Sequence, residues 1–268
     1  MRLARAAGDR ICAAFARPLT VHFKDPFPGA DPNSNPVSEV DRGVEAFLRA
    51  ELMSQFPDHG VIGEEGSGAT HSGAGFTWVI DPLDGTTNYI NGLPLFASAI
   101  GVLLDGWPLV GAIWCVSTHT LHPGVYHARR GGPLSFDEVT FERRAGAPWR
   151  GIAAEPGSSS RYGTHWDTRV LGSATLECAF VSAGILRLAY VSRPSLWDAA
   201  AALALLQAAG CCAMTRQQSR WMPLERFIVD CGRAQRRAQR SNGSTATLGS
   251  WCQPLLAADR DSLNLALT

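Results

Sequence analysis

Two aspartates three positions apart, Asp81 and Asp84, close the apolar run Trp78-Val79-Ile80. Pro82 stiffens the turn between them and leaves the Leu83 carbonyl free. Carboxylates that converge on one spot repel each other unless a cation lies between them. A hard divalent ion such as Mg²⁺ takes oxygen ligands of this kind, a few carboxylates completed by substrate phosphate. Gly85-Thr86-Thr87 follows directly. Gly85 lets backbone approach a ligand, and Thr86-Thr87 can open a helix whose free N–H groups bind phosphate oxygens. Taken alone, the segment is equally an Asp-Pro turn followed by a Thr-capped helix.

Three further acidic positions bear on the choice. Glu64 and Glu65 stand in Gly63-Glu64-Glu65-Gly66, which by itself is a surface loop. Asp41 follows Ser38 by three, and Asp198 follows Ser195 by three, and each pair alone reads as a capping box. Asp198 also falls in a first helical turn, where the helix dipole favours an anion. Combined, these groups suit cleavage of a phosphate monoester by water. Metal ions lower the pKa of bound water and stabilise the attacking and leaving oxygens, and positioning does most of the rest. No cysteine or histidine nucleophile is required. His22, His59, His71, His119, His122, His127 and His165 are scattered through loops and strand ends, where structural roles suffice.

The elements that must position these groups can be read from periodicity. Met1 to Phe15 carries an apolar stripe, Leu3, Ala7, Ile11 and Phe15, and reads as an amphipathic surface helix. Asp25 to Pro36 and Ser67 to Gly75 read as loops. A helix starts at Ser38 with Val40, Val44, Phe47, Leu48 and Leu52 on one face, and Pro57 ends it. Val61-Ile62-Gly63, Phe76 to Ile80, Ala97 to Leu104, Leu109 to Val116 and Val125 to Ala128 read as strands, with a turn at Asp105-Gly106-Trp107-Pro108. Ala174 to Ala183 and Ser195 to Ala209 read as helices closed by Gly184 and Gly210, around a strand from Ile185 to Val191. A composition break at Ala145 to Tyr162 suggests a boundary. Residues 1–145 form an N-terminal α+β half with most of the acidic groups, and 146–268 a C-terminal α/β half with Asp198. The arginines within Arg233 to Arg240 read as a solvated helix face.

In this order the segments resemble the inositol monophosphatase-like, lithium-sensitive phosphatase superfamily. The resemblance rests on Pro36-Val37-Ser38-Glu39-Val40-Asp41, Gly63-Glu64-Glu65, Trp78 to Asn88, and Trp197-Asp198-Ala199-Ala200, within about residues 20 to 210. It implies a layered αβαβα sandwich of the inositol monophosphatase and fructose-1,6-bisphosphatase type, an α/β (α+β) fold, usually dimeric. It implies two or three Mg²⁺ ions: one on Glu64, Asp81 and the Leu83 carbonyl, one on Asp81, Asp84 and Asp198, and a weaker one by Glu64. Asp41 and Thr86, with Glu64, would act on the attacking water. Gly85 and Thr86 would touch the phosphate. Substrate binding would involve Asp84, Gly85, Thr86, Arg169, Gly172, Ser173 and Asp198.

Departures from the family pattern bear on substrate. Asn35 stands where many members have aspartate, Ser38 replaces threonine, and Ala201 replaces a common glycine. Val191 aligns with a substrate-binding glutamate of inositol-specific members, and a valine cannot accept a hydrogen bond from a hydroxyl. The Glu155 to Trp166 stretch is shorter than the family's usual segment. Inositol monophosphate is the default substrate. Histidinol phosphate, fructose bisphosphate and a phosphoadenosine nucleotide are alternatives, and a non-catalytic homologue is the competing class.

The bulk composition agrees. With 46% apolar and 18% charged residues the chain is globular. Its 24 basic residues balance 24 acidic ones, so no global field attracts nucleic acid or an anionic membrane. No apolar run is long enough to span a bilayer. Seven cysteines without a CxxC pair read as packed thiols of a cytoplasmic protein.

Overall fold

The computed structural model describes residues 1–15, 17–24, 36–66, 75–143, 150–155, 165–217, 219–228 and 248–268. The chain opens with α1 (Arg2–Phe15), a two-stranded ribbon β1 (Val21–Phe23) and β2 (Pro36–Ser38), and α2 (Glu39–Gln55). Seven strands then form one sheet: β3 (Gly60–Gly63), β4 (Phe76–Asp84), β5 (Ala97–Leu104), β6 (Trp107–Cys115), β7 (Gly124–Arg129), β8 (Ser135–Phe136) and β9 (Val139–Thr140). They lie in sequence order, with α3 (Thr86–Ile90) inserted after β4. Only β3 and β4 pair in parallel.

The second half adds β10 (Ile152–Ala154), β11 (Asp167–Arg169), α4 (Ala174–Ala183), β12 (Leu188–Val191), α5 (Leu196–Ala208), β13 (Cys212–Gln217), β14 (Arg220–Pro223), β15 (Leu255–Ala258) and α6 (Arg260–Leu267). Its six-stranded sheet has the order β11-β10-β12-β15-β13-β14.

Strand alternation sorts the side chains into layers. Val79, Ala99 and Ile113 face α4 and α5, whereas Ile80, Ile100, Ala112 and Trp114 face α1 and α2. The second sheet presents Ala154, Ala189, Leu255 and Ala257 to the same central helices. Its far side packs Ala153, Leu188, Leu256 and Ala258 with Leu263 of α6. The result is an αβαβα stack, as the family resemblance implied.

Between the sheets, α5 is apolar around its circumference, the pattern of a wholly buried helix. Its Ala199 to Ala202 run lets it lie close on β5 and β6, where glycine makes the approach possible. A Cβ on Gly111 would stand 2.2 Å from the Ala201 carbonyl oxygen. This close packing fixes the start of α5, and therefore Asp198.

Several local expectations need correction. The β5–β6 turn is only Asp105-Gly106, both at positive φ (49° and 83°), so β6 begins at Trp107. Two residues of that handedness match the strand twist without help from Trp107-Pro108. Pro36 belongs to β2 rather than to the preceding loop, and β1 was not anticipated. Strand β10 lies inside the composition break and pairs with β11 and β12. The strand before α5 starts at Leu188, not Ile185, because Gly184 (φ 76°) and the two residues after it complete the α4 cap. The Arg233 to Arg240 run, the loops 25–35 and 67–74, His71, Asn35 and Cys231 lie outside the described residues. Cys115 and Cys178 are buried, but Cys12 and Cys252 are exposed, so the packed-thiol expectation holds only in part. No helix among the described residues is long and apolar enough to cross a membrane.

Candidate metal centre

In a regular strand, residues three apart point to opposite faces. Asp81 and Asp84 escape this because β4 bulges: Asp81 pairs with Ala99 and Asp84 with Ala97. With Pro82 and Leu83 opposite Ser98 alone, four residues run against three; the inserted residue restores a common face, and Pro82, which cannot donate to a ladder, sits where the ladder is broken. Asp198 comes from the first turn of α5, held by the Ser195 N–H to its Oδ2 at 2.6 Å. One carboxylate oxygen from each of Asp81, Asp84 and Asp198 lies within 4.8 Å of the others.

The electrostatics show what this cluster lacks. Burial and the neighbouring charges of Glu64, Asp84, Asp198 and Asp41 push Asp81 well above the usual carboxylate range. Asp198 is raised in the same way, by burial, Asp84 and Glu64, against the Ser195 N–H and a contact with the Asp81 carboxyl. Asp81 Oδ1 is buried with no hydrogen-bond partner among the described residues. A buried carboxylate oxygen without a donor is rare and unfavourable. An all-oxygen donor set with an orphaned anionic oxygen fits a hard divalent cation.

Glu64 stands at the edge of this cluster. Burial lifts its carboxyl to about 7, opposed by Lys24, whose Nζ lies 2.8 Å from Glu64 Oε1 and 2.5 Å from Glu65 Oε1. Glu65 is also held through its backbone N–H by Glu45 Oε2 at 2.7 Å. Lys24 thus offsets part of the negative charge of both glutamates. It escaped sequence reasoning because a lone lysine in a loop carries no spacing signal.

Asp41 and Thr86 meet as expected. Thr86 Oγ1 lies 2.8 Å from Asp41 Oδ1 and 3.0 Å from the Leu83 carbonyl oxygen. The other Asp41 oxygen accepts from the Ser38 N–H and hydroxyl, which confirms the capping box at α2. Burial raises the Asp41 pKa, and the Ser38 and Thr86 hydrogen bonds oppose that rise. Gly85 (φ 91°) caps α3, and a Cβ there would stand 3.0 Å from the Leu95 carbonyl oxygen.

The expected substrate wall is only partly assembled. Ser173 Oγ donates to Asp84 Oδ2 at 2.8 Å, and Gly172 takes φ 76° beside the Asn88 amide. Asn88 ties this loop to α3 by donating to the carbonyls of Leu95 and Leu171, at 2.6 and 2.7 Å. Arg169 lies exposed on the edge strand β11, its guanidinium donating to the Thr168 carbonyl at 2.8 Å and, among the described residues, to no acidic group. Val191 is half-buried on β12 against the core. Two histidines outside the centre make structural contacts: His59 Nδ1 accepts from Trp78 Nε1 at 3.0 Å, and His127 Nε2 meets the Asp137 carbonyl at 2.6 Å.

The sequence profile of the Inositol monophosphatase family matches residues 1–246. The inositol-1-monophosphatase of Bacillus subtilis (strain 168) is 31% identical over 227 residues, 77% of this chain and 80% of that protein. The histidinol-phosphatase of Mycobacterium tuberculosis is 33% identical over 196 residues, 67% of this chain and 74% of that protein. Among solved structures, an IMPase/NADP phosphatase complexed with Mg²⁺ and phosphate aligns with a TM-score of 0.72 at 16% identity, covering 98% of this chain and 90% of that one.

Proposed function

This chain belongs to the inositol monophosphatase family and is a phosphoric monoester hydrolase, and we propose that it cleaves a small phosphate monoester with water in a Mg²⁺-dependent reaction. The observation that carries this reading is the trio Asp81, Asp84 and Asp198 within 4.8 Å, with one buried oxygen of Asp81 unpartnered among the described residues. Asp81, Asp84 and Asp198 would hold one ion, and Glu64, Asp81 and the Leu83 carbonyl another, in a set of two or three. When bound, Mg²⁺ would neutralise phosphate charge and acidify a coordinated water.

The chain's own residues do the rest. The Thr86 hydroxyl, hydrogen-bonded to Asp41, would orient the attacking water and pass its proton toward the Asp41 carboxylate. Burial makes Asp41 a stronger base than an exposed aspartate, closer to what proton transfer at neutral pH needs. Gly85 and Thr86 would meet the phosphate, and Gly172, Ser173 and Arg169 would border the leaving group. Lithium would compete at the ion site of Asp81, Asp84 and Asp198. Homodimer assembly and a cytoplasmic location belong to the same reading, the latter supported by the free cysteines.

Inositol monophosphate is the default substrate. Histidinol phosphate is the second reading, favoured by the likeness to a histidinol-phosphatase and by Val191, which offers no acceptor to a polyol hydroxyl. The test is phosphate release, with and without Mg²⁺, from inositol 1-phosphate, histidinol phosphate, fructose 1,6-bisphosphate and a phosphoadenosine nucleotide. Mg²⁺-dependent release from at least one is expected, and no release from any contradicts the reading. Val191→Glu should raise the ratio of inositol phosphate to histidinol phosphate turnover. An unchanged ratio would detach Val191 from substrate choice.

A further inference from the structure

Asp84 differs from its two partners in how its carboxylate is held. Its Oδ2 accepts from the Thr175 N–H at 2.6 Å, from Thr175 Oγ1 at 2.6 Å and from Ser173 Oγ at 2.8 Å. A carboxylate oxygen has two lone-pair directions, so three donors saturate it. Both hydroxyl residues are buried, Thr175 completely. They stand in the opening turn of α4, whose dipole favours an anion at that end.

The turn itself is braced. Ser173 Oγ also accepts from the Leu176 N–H at 3.3 Å. Glu177, buried at the end of that same turn, has its pKa raised by burial and held back by the backbone of Leu171 and Gly172. The segment that reaches Asp84 is therefore held on both sides, by Asn88 at the Leu171 carbonyl and by the Leu176 N–H at Ser173. Asp84 lies 91 residues away in the chain, so the contact ties the end of β4 to the start of the central helix α4.

We propose that Thr175 is a positioning residue for Asp84: its hydroxyl and N–H, with the Ser173 hydroxyl, occupy Oδ2 and leave Oδ1 as the single oxygen that Asp84 turns to the ion. This rests on the metal-dependent reading above. Thr175 touches neither substrate nor ion and acts through the orientation of the carboxylate. Fixing a ligand's free lone pair in advance removes an ordering cost from ion binding, the usual effect of partners one step behind a ligand. The arrangement also withdraws Oδ2 from any substrate hydroxyl, so a part for Asp84 in substrate binding falls to Oδ1.

The test compares wild type, Thr175→Val and Thr175→Ser, stripped with EDTA and titrated with Mn²⁺ by electron paramagnetic resonance. Valine keeps the shape and the N–H but deletes the hydroxyl donor; serine restores the donor. We expect Mn²⁺ affinity about 10-fold lower in Thr175→Val, recovery in Thr175→Ser to within about twofold, and similar unfolding midpoints without metal. Should Thr175→Val not fold, Thr175→Ala is read the same way. Equal affinity in wild type and Thr175→Val overturns the proposal, as does an equal loss in both variants, which would mark a packing effect. A wild type that binds no Mn²⁺ overturns the function reading together with this one, whereas a wild type that binds as tightly as Thr175→Val overturns this one alone.

Discussion

Helices α2 and α5 begin with the same four-residue signature, Ser-x-x-Asp, and use it for opposite ends. At α2, Asp41 is surrounded by donors: the Ser38 N–H and hydroxyl on one oxygen and the Thr86 hydroxyl on the other. At α5, Asp198 receives the Ser195 N–H and otherwise faces carboxylates. Both pKa values are raised by burial, but at Asp41 three hydrogen bonds from Ser38 and Thr86 pull against it, whereas at Asp198 the charges of Asp84 and Glu64 push further. A capping box pins one carboxylate oxygen and leaves the other to the tertiary neighbourhood. Where that neighbourhood supplies a hydroxyl, the proposed mechanism makes the carboxylate a proton acceptor. Where it supplies more anions, the proposed mechanism makes it a cation ligand.

The comparison is broken most severely at α5. Asp198→Asn should lower turnover about a thousandfold, the upper range for losing one charged stabiliser of the transition state. It should also weaken Mn²⁺ binding while raising the melting temperature of the metal-free protein, since one of three crowded carboxylates becomes neutral. Steady-state phosphate release, Mn²⁺ titration and thermal unfolding check the three effects. Asp41→Asn should cost about a hundredfold, the low end for a lost general base, and leave Mn²⁺ affinity near the wild-type value. Loss of ion binding in both variants would erase the distinction.

A pH titration sharpens it. Burial raises Asp81 and Asp198 and lifts Glu64 to about 7. In the ion-free folded state these groups keep protons that the unfolded chain has already released. Their stabilising effect is therefore complete below the ordinary carboxylate pKa and is lost as pH rises through the raised values. Mg²⁺ replaces those protons. The gain in melting temperature on adding Mg²⁺ should be larger at pH 8 than at pH 6, and a gain independent of pH would argue against a crowded site.

The smallest effect concerns the caps themselves. Ser38→Ala should destabilise the protein by about 1 kcal/mol, because the Ser38 hydroxyl accepts from Val40 and Asp41 and donates to Asp41. Ser195→Ala should cost less, because the donor to Asp198 is the Ser195 backbone N–H, which alanine retains. Equal losses by chemical denaturation would show that the two caps work alike.

Much of this was legible in the chain. The capping boxes, the amphipathic α2, the apolar α5 and the Asp81-Pro82-Leu83-Asp84 segment announce themselves through local spacing. The layered fold followed from motifs in order, since alternating strands and buried helices must stack. What escaped shares one physical cause: its partners are distant in sequence. Thr175 meets Asp84 across 91 residues, Asn88 meets Leu171 across 83, and Lys24 meets Glu64 across 40. The β4 bulge was invisible too, because its register depends on β5. Arg169 was assigned to the substrate wall by resemblance, yet its guanidinium turns to Thr168, so substrate selectivity is the part least fixed by local pattern.

The central claim is that a divalent ion on the Asp81, Asp84 and Asp198 cluster is required for phosphate release. The direct measurement is phosphate release by wild-type protein stripped with EDTA and dialysed, then titrated with Mg²⁺, beside Asp81→Asn treated identically. The account predicts no turnover in the stripped wild type, recovery that saturates with Mg²⁺, and no recovery in Asp81→Asn at the same concentrations. Turnover that survives stripping, or Mg²⁺ recovery that is the same in Asp81→Asn, would contradict it.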